Sequence, residues 1–177
     1  MRIKLIIFAF AALSILVNKA GYAQAKDHPA FSDYPAHLYQ GRLKIPSYYH
    51  SDGDTWRDDL GKTVDAPHVN LGGRFFAAAH SCGMDCRYFT ISDLRSGEDG
   101  LALSLFNADE QHRSVTNDGR SYVTELITRA DSFLFLARDH IESDAINGKE
   151  CRERYFVLEN DGNKVLPISR TFPKCSA

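Results

Sequence analysis

The stretch Arg74-Phe75-Phe76-Ala77-Ala78-Ala79-His80-Ser81-Cys82-Gly83-Met84-Asp85-Cys86-Arg87-Tyr88-Phe89-Thr90-Ile91-Ser92 decides the fold. Two apolar and aromatic runs, Arg74 to His80 and Arg87 to Ser92, flank a segment too short for a crossover and relaxed by Gly83. That pattern predicts two antiparallel strands joined by a tight turn. Toward the C-terminus the same grammar repeats. Arg95-Ser96-Gly97-Glu98-Asp99-Gly100 reads as a turn into a strand over Leu101 to Phe106. Tyr122 to Thr128, Ser132 to Arg138, Cys151 to Glu159 and Asn163 to Arg170 read as further strands, the last two joined through Asn160-Asp161-Gly162. Short β-branched and aromatic runs divided by Gly/Asn/Asp turns predict a mainly β, antiparallel multi-hairpin sheet, either a sandwich or partly propeller-like. The aromatic strands Tyr88 to Asp93 and Tyr155 to Asn160 echo each other too faintly to count blades.

Toward the N-terminus the pattern changes. Residues 26–67 read as an arm punctuated by Pro29, Tyr34-Pro35 and Pro46, expected to pack on the β domain at 68–177 within a single globular unit, 26–177. Within it, Ser51-Asp52-Gly53-Asp54-Thr55-Trp56-Arg57-Asp58-Asp59-Leu60-Gly61 suggests one short helix, capped by Asp52 or Asp54, burying Trp56 and Leu60 and stopped by Gly61. The four aspartates there read as a solvated helix face. Trp56 and Arg57 stand where an EF-hand would place ligands.

Residues 1–25 read as a cleavable signal peptide. Arg2 and Lys4 precede an apolar run from Leu5 to Val17, about 13 residues where a spanning helix needs roughly 20. Gly21-Tyr22-Ala23 and Ala23-Gln24-Ala25 offer small-x-small cleavage sites, and no cysteine at the junction calls for a lipid anchor. Removing the leader takes away three cations and no acid, so the formal charge of −2 becomes roughly −5. A mildly acidic chain with no basic stripe argues against nucleic-acid binding, and no later apolar run suggests a membrane anchor. The short h-region and the absence of an Asn-x-Ser/Thr site fit a bacterial periplasmic protein.

Export changes the reading of the four cysteines, Cys82, Cys86, Cys151 and Cys175. An even count in an oxidising compartment predicts two disulfides, with three possible pairings. If the last hairpin turns at Asp161-Gly162, Cys151 falls opposite the region of Phe172 to Cys175, which favours Cys151–Cys175 and leaves Cys82–Cys86. The long loop is worth about 3.5 kcal/mol by chain entropy and the short one about 2 kcal/mol. One bridge reads as a staple, the other as a device that shapes a loop.

The densest chemistry is His80-Ser81-Cys82-Gly83-Met84-Asp85-Cys86. It reads as a disulfide-clasped turn, either purely structural or serving as a rigid recognition element that loses little entropy on binding. Ser81 would offer a hydroxyl, Met84 an adaptable apolar contact and Asp85 a charge. Redox chemistry fails on spacing, because thiol oxidoreductases place Cys-x-x-Cys at a helix start. Zinc held by His80, Cys82 and Cys86 is disfavoured in an oxidising compartment. No hydrolase, Walker or dinucleotide motif appears, and no cofactor is implied.

Val69-Asn70-Leu71-Gly72-Gly73-Arg74-Phe75, followed by His80 to Cys86, resembles a group of small exported bacterial proteins of uncharacterised function that read Asn-Phe-Ala-Gly-His-Tyr and then Trp-Gly-Cys-Gly-x-x-Cys. Ser132-Phe133-Leu134-Phe135 and Arg154 to Asn160 are also similar, and the resemblance spans about 90 residues. Here Leu71-Gly72 replaces Phe-Ala, Arg74 replaces His, and His80-Ser81 replaces Trp-Gly. By type, the chain also resembles immunity proteins that protect bacteria from type VI secreted peptidoglycan amidases. Those resemblances imply a non-enzymatic periplasmic binding protein whose loop, His80 to Cys86, plugs the cleft of a cell-wall hydrolase. The competing expectations are a thiol enzyme, a hydrolase using His80 and Asp85, and a glycan-binding envelope module using Trp56.

Overall fold

The computed structural model describes residues 28–109 and 112–176, so the expected leader lies outside the described residues. Ten strands follow in order: β1 (His50–Asp52), β2 (Thr55–Arg57), β3 (Thr63–Val64), β4 (Phe75–Gly83), β5 (Cys86–Asp93), β6 (Glu98–Gly100), β7 (Tyr122–Ile127), β8 (Leu134–Ile141), β9 (Glu150–Leu158) and β10 (Val165–Pro167). They make three antiparallel sheets, ordered β1-β2-β3, β4-β5-β6 and β10-β9-β8-β7. The mainly β, multi-hairpin expectation is met, and the sheets stack in a sandwich-like way.

Both larger sheets are covered on both faces, which explains why their strands read as continuous apolar runs instead of alternating ones. Phe75 and Phe76 point to opposite faces of β4, yet are only 1% and 0% exposed. Phe75 joins Phe89 and Ile91 against Phe135, Ala137 and Phe156 of the four-stranded sheet. Phe76 and Ala78 pack instead on Tyr49, Val64 and Leu94, beneath the small β1-β2-β3 sheet. On the far side of the four-stranded sheet, Leu134, Leu136 and Tyr155 are closed over by Phe172 from the C-terminal segment and by Phe31 and Tyr34 from the arm.

Part of the arm lies against the sheets. Its main chain bonds Asp131, Phe133 and Gly73, and the buried Ser132 hydroxyl donates to the carbonyls of Phe31 and Tyr34 at 2.8 and 3.0 Å. Gly73 (φ 79°) lets the arm pass, because a Cβ there would sit 2.1 Å from the His37 carbonyl oxygen.

Three expectations are corrected. The helix over Asp52 to Gly61 is the β1-β2 hairpin and the turn that follows it. Asp52 faces Thr55 across Gly53 and Asp54, and Gly53 takes φ 62°, so Gly53-Asp54 is a two-residue hairpin turn and Asp52 is no helix cap. Trp56 is half-buried on β2, while Leu60 is 63% exposed. Leu101 to Phe106 is likewise not a strand. It is a turn followed by a 3₁₀ helix at Ser104–Phe106, because the ladder ends at Gly100 and the Ala102 amide, two residues on, donates instead to the Gly162 carbonyl. The last strand is shorter than expected, since Pro167 ends it.

Candidate functional site

The segment between β4 and β5 is a projecting turn clasped at its neck. Gly83 pairs with Cys86, leaving Met84 and Asp85 as the tip. The Cys82–Cys86 bridge holds the two sides with Cα atoms 5.1 Å apart. Cys151–Cys175 also forms, so both expected pairings are present and no cysteine is free. Asp85 takes the left-handed conformation at φ 55°, which Asp tolerates better than most residues. Met84 is 82% exposed, an unusual setting for an apolar side chain held by a rigid frame. The Arg87 guanidinium donates to the Cys86 carbonyl at 2.9 Å and lies 3.5 Å from the Ser81 hydroxyl. Arg113 borders the same surface.

Beneath the loop, the seven residues singled out in the sequence divide. Gly83, Met84 and Asp85 are exposed, and Ser81 and Cys82 are half-buried. Cys86 and His80 are buried, each 2% exposed, so neither is presented to a partner. His80 is the third member of a β4 face that begins Phe76, Ala78. Its Nδ1 lies 2.8 Å from Asp58 Oδ2 and its Nε2 lies 2.9 Å from Thr90 Oγ1. Tyr49 Oη meets the same Thr90 oxygen at 2.9 Å. The ring stacks on Tyr88 at 4.6 Å and faces Tyr49 at 6.2 Å.

The acidic spacing places Asp58 on a solvated face, yet it is 2% exposed. Its Oδ1 accepts the Leu60 and Lys62 amides at 3.0 and 2.8 Å, so one carboxylate shapes the β2-β3 turn and docks it onto β4. Burial works to raise its pKa, but hydrogen bonds from His80 and from the Lys62 and Leu60 amides outweigh that and hold it below the ordinary carboxylate value. Burial also pushes up the Tyr88 phenol, to about 12, with the Asp58 charge adding to the effect. Tyr49 is raised by burial too.

Carboxylate, imidazole and hydroxyl in a row is the order used by nucleophilic hydrolases. Here the Asp58 and His80 side chains are 0% and 2% exposed, and the hydroxyl is held on its other side by Tyr49. The row acts as an internal strut beneath the loop. His80 does not pair with Asp85, and Cys82 and Cys86 are bonded to each other. Sequence carried one signal for the strut: a histidine in step with Phe76 and Ala78 on an apolar strand face needs a buried partner. Which residue supplies it depends on the β2-β3 turn, which spacing does not reveal.

The strut implies an acid response. A carboxylate whose folded pKa is depressed contributes stability above its unfolded pKa of about 3.9, and that stability is lost as pH falls through the folded value. The urea midpoint should therefore hold steady near neutrality and fall below about pH 4. The stability gap between the native chain and Asp58→Asn should narrow over the same range, because protonation makes the two side chains alike. A gap independent of pH would remove Asp58 from this role.

Among the described residues, no helix is long and apolar enough to cross a membrane. The chain matches no family model, no curated protein and no solved structure.

Proposed function

We propose that the chain is a non-enzymatic periplasmic binding protein of immunity or inhibitor type, which blocks a peptidoglycan-degrading amidase by inserting the Ser81 to Cys86 loop into its cleft. The observation that carries this reading is the build of the loop. An exposed methionine sits at the tip of a two-residue turn, clasped by a disulfide and footed on a buried polar strut. Such a loop is already ordered before binding, so little conformational entropy is lost in a complex. Met84 supplies apolar contact that adapts to a cleft wall, and Ser81 supplies a hydroxyl for a catalytic histidine. The two disulfides fit an oxidising compartment, the periplasm in this reading, reached through the leader at residues 1–25.

The test begins with gene neighbourhood: this reading expects a small secreted Cys/His amidase to be encoded beside this gene, and that amidase serves as the partner. The two proteins should co-elute on gel filtration, and peptidoglycan cleavage should be titrated to zero. Ser81→Arg, or deletion of Gly83 and Met84, should release the amidase while leaving the circular dichroism spectrum unchanged. Inhibition that survives both changes rules out the loop mechanism.

A further inference from the structure

Among the described residues, β4 is an outer strand whose one sheet neighbour is β5. In an antiparallel strand, the main-chain groups of alternate residues point toward and away from the partner. Those of Ala77 point away, because its N–H donates to Asn70 Oδ1 and its carbonyl accepts from Asn70 Nδ2, both at 2.8 Å. Phe75, two residues earlier, is closed off by Leu71. By the same alternation, Ala79 and Ser81 also present their N–H and C=O outward. Among the described residues, none outside β5 pairs with their main chain. The edge is thus sealed at one end by a side-chain amide that stands in for a strand, and open at the other, next to the clasped loop. The open stretch ends at the bulge between Ser81 and Gly83. It has no charge, proline or inward bulge of its own to protect it. A cleft of about 580 Å³ lies beside it, with Ala77, Ala79, Phe89 and Leu126 as apolar lining and Arg87 and Glu125 among its polar groups.

We infer that Ala79 and Ser81 form a strand-addition site for an extended segment of a polypeptide partner. This rests on the reading of the chain as a protein-binding module, and it assigns to the target a second contact beside the loop. The partner segment supplies backbone N–H and C=O groups to the open edge, and places an apolar side chain over Ala79 and Phe89. A second copy of this chain does not fit. Any two-fold pairing that uses both open residues sets Ala77 opposite Ser81, Gly83 or Asp85 of the other copy, where the Asn70 amide already sits.

The experiment needs no knowledge of the natural target. Random linear dodecapeptides displayed on phage are selected on the purified protein, and the enriched peptides are synthesised. They should slow hydrogen exchange at the Ala79 and Ser81 amides by about tenfold or more, and bind Ala79→Pro at least about tenfold more weakly. If Ala79→Pro does not fold, the exchange pattern alone decides. Met84→Ala should bind the peptides as the native chain does while inhibiting the amidase less well, which separates this site from the loop. Four results overturn the inference: no enrichment, protection confined to other amides, equal binding to folded Ala79→Pro, or a peptide-free dimer that protects the same amides.

Discussion

Replacing Asp58 with alanine is expected to lower the unfolding free energy by about 3–5 kcal/mol, because hydrogen bonds to a charged group are worth roughly 1.5–3 kcal/mol each and this buried carboxylate makes three. The loss has two sources. His80 is left buried with nothing at Nδ1, and the Leu60 and Lys62 amides lose their acceptor. The stranded imidazole, 2% exposed, carries a desolvation penalty, while the turn loses the two hydrogen bonds that set its shape. His80→Ala should be similarly harmful, because it leaves the Asp58 carboxylate sealed from water without its partner. The double variant should cost less than the sum of the two, since neither group then remains to be stranded. Urea unfolding followed through the fluorescence of Trp56 reads this directly. It is the single tryptophan, and it packs beside Val64 in the small sheet that Asp58 docks. A cost below about 1 kcal/mol, as for a surface ion pair, would refute the strut.

How far the sequence carries follows from the same residues. The β4-β5 hairpin, its clasp and the β9-β10 hairpin are legible because they are local. A hairpin needs two apolar runs and a turn, and both disulfides close within a single hairpin. The β1-β2-β3 sheet is misread because its turn chemistry is shared with helix caps. Asp52-Gly53 opens a hairpin or caps a helix with equal local sense, and the choice falls to Tyr49, Val64 and Trp56 packing on the β4 face, a long-range matter. His80 shows the same limit within the candidate site. Its neighbours in sequence form an exposed loop, but its side chain belongs to the other regime, alternating inward with Phe76 and Ala78. The period of two that predicts the strand also places His80 inside. The Asn70 amide that caps Ala77 leaves no sequence signature, because its effect comes from where the chain between β3 and β4 runs.

The two disulfides are expected to separate stability from recognition. Replacing Cys151 and Cys175 together with alanine should cost about 3.5 kcal/mol, and replacing Cys82 and Cys86 together about 2 kcal/mol, by the chain entropy of loops of such different length. The larger bridge closes a separation of 24 residues and holds the segment that carries Phe172. Phe172 exchanges main-chain hydrogen bonds with Glu153 and roofs Leu134, Leu136 and Tyr155. Its loss loosens a core layer far from the loop, so inhibition of the amidase should persist wherever the chain remains folded. The smaller bridge closes a separation of 4 residues and supports little of the core. Without it, the Met84 tip samples many conformations, and the ordering it once brought ready-made must be supplied on binding, weakening inhibition by roughly tenfold or more. Thermal melts and amidase titrations on the two double variants test both halves at once. If the Cys82/Cys86 variant melts earlier than the Cys151/Cys175 variant yet inhibits as the native chain does, the small clasp belongs to the fold rather than to recognition, and the rigid-loop mechanism loses its main support.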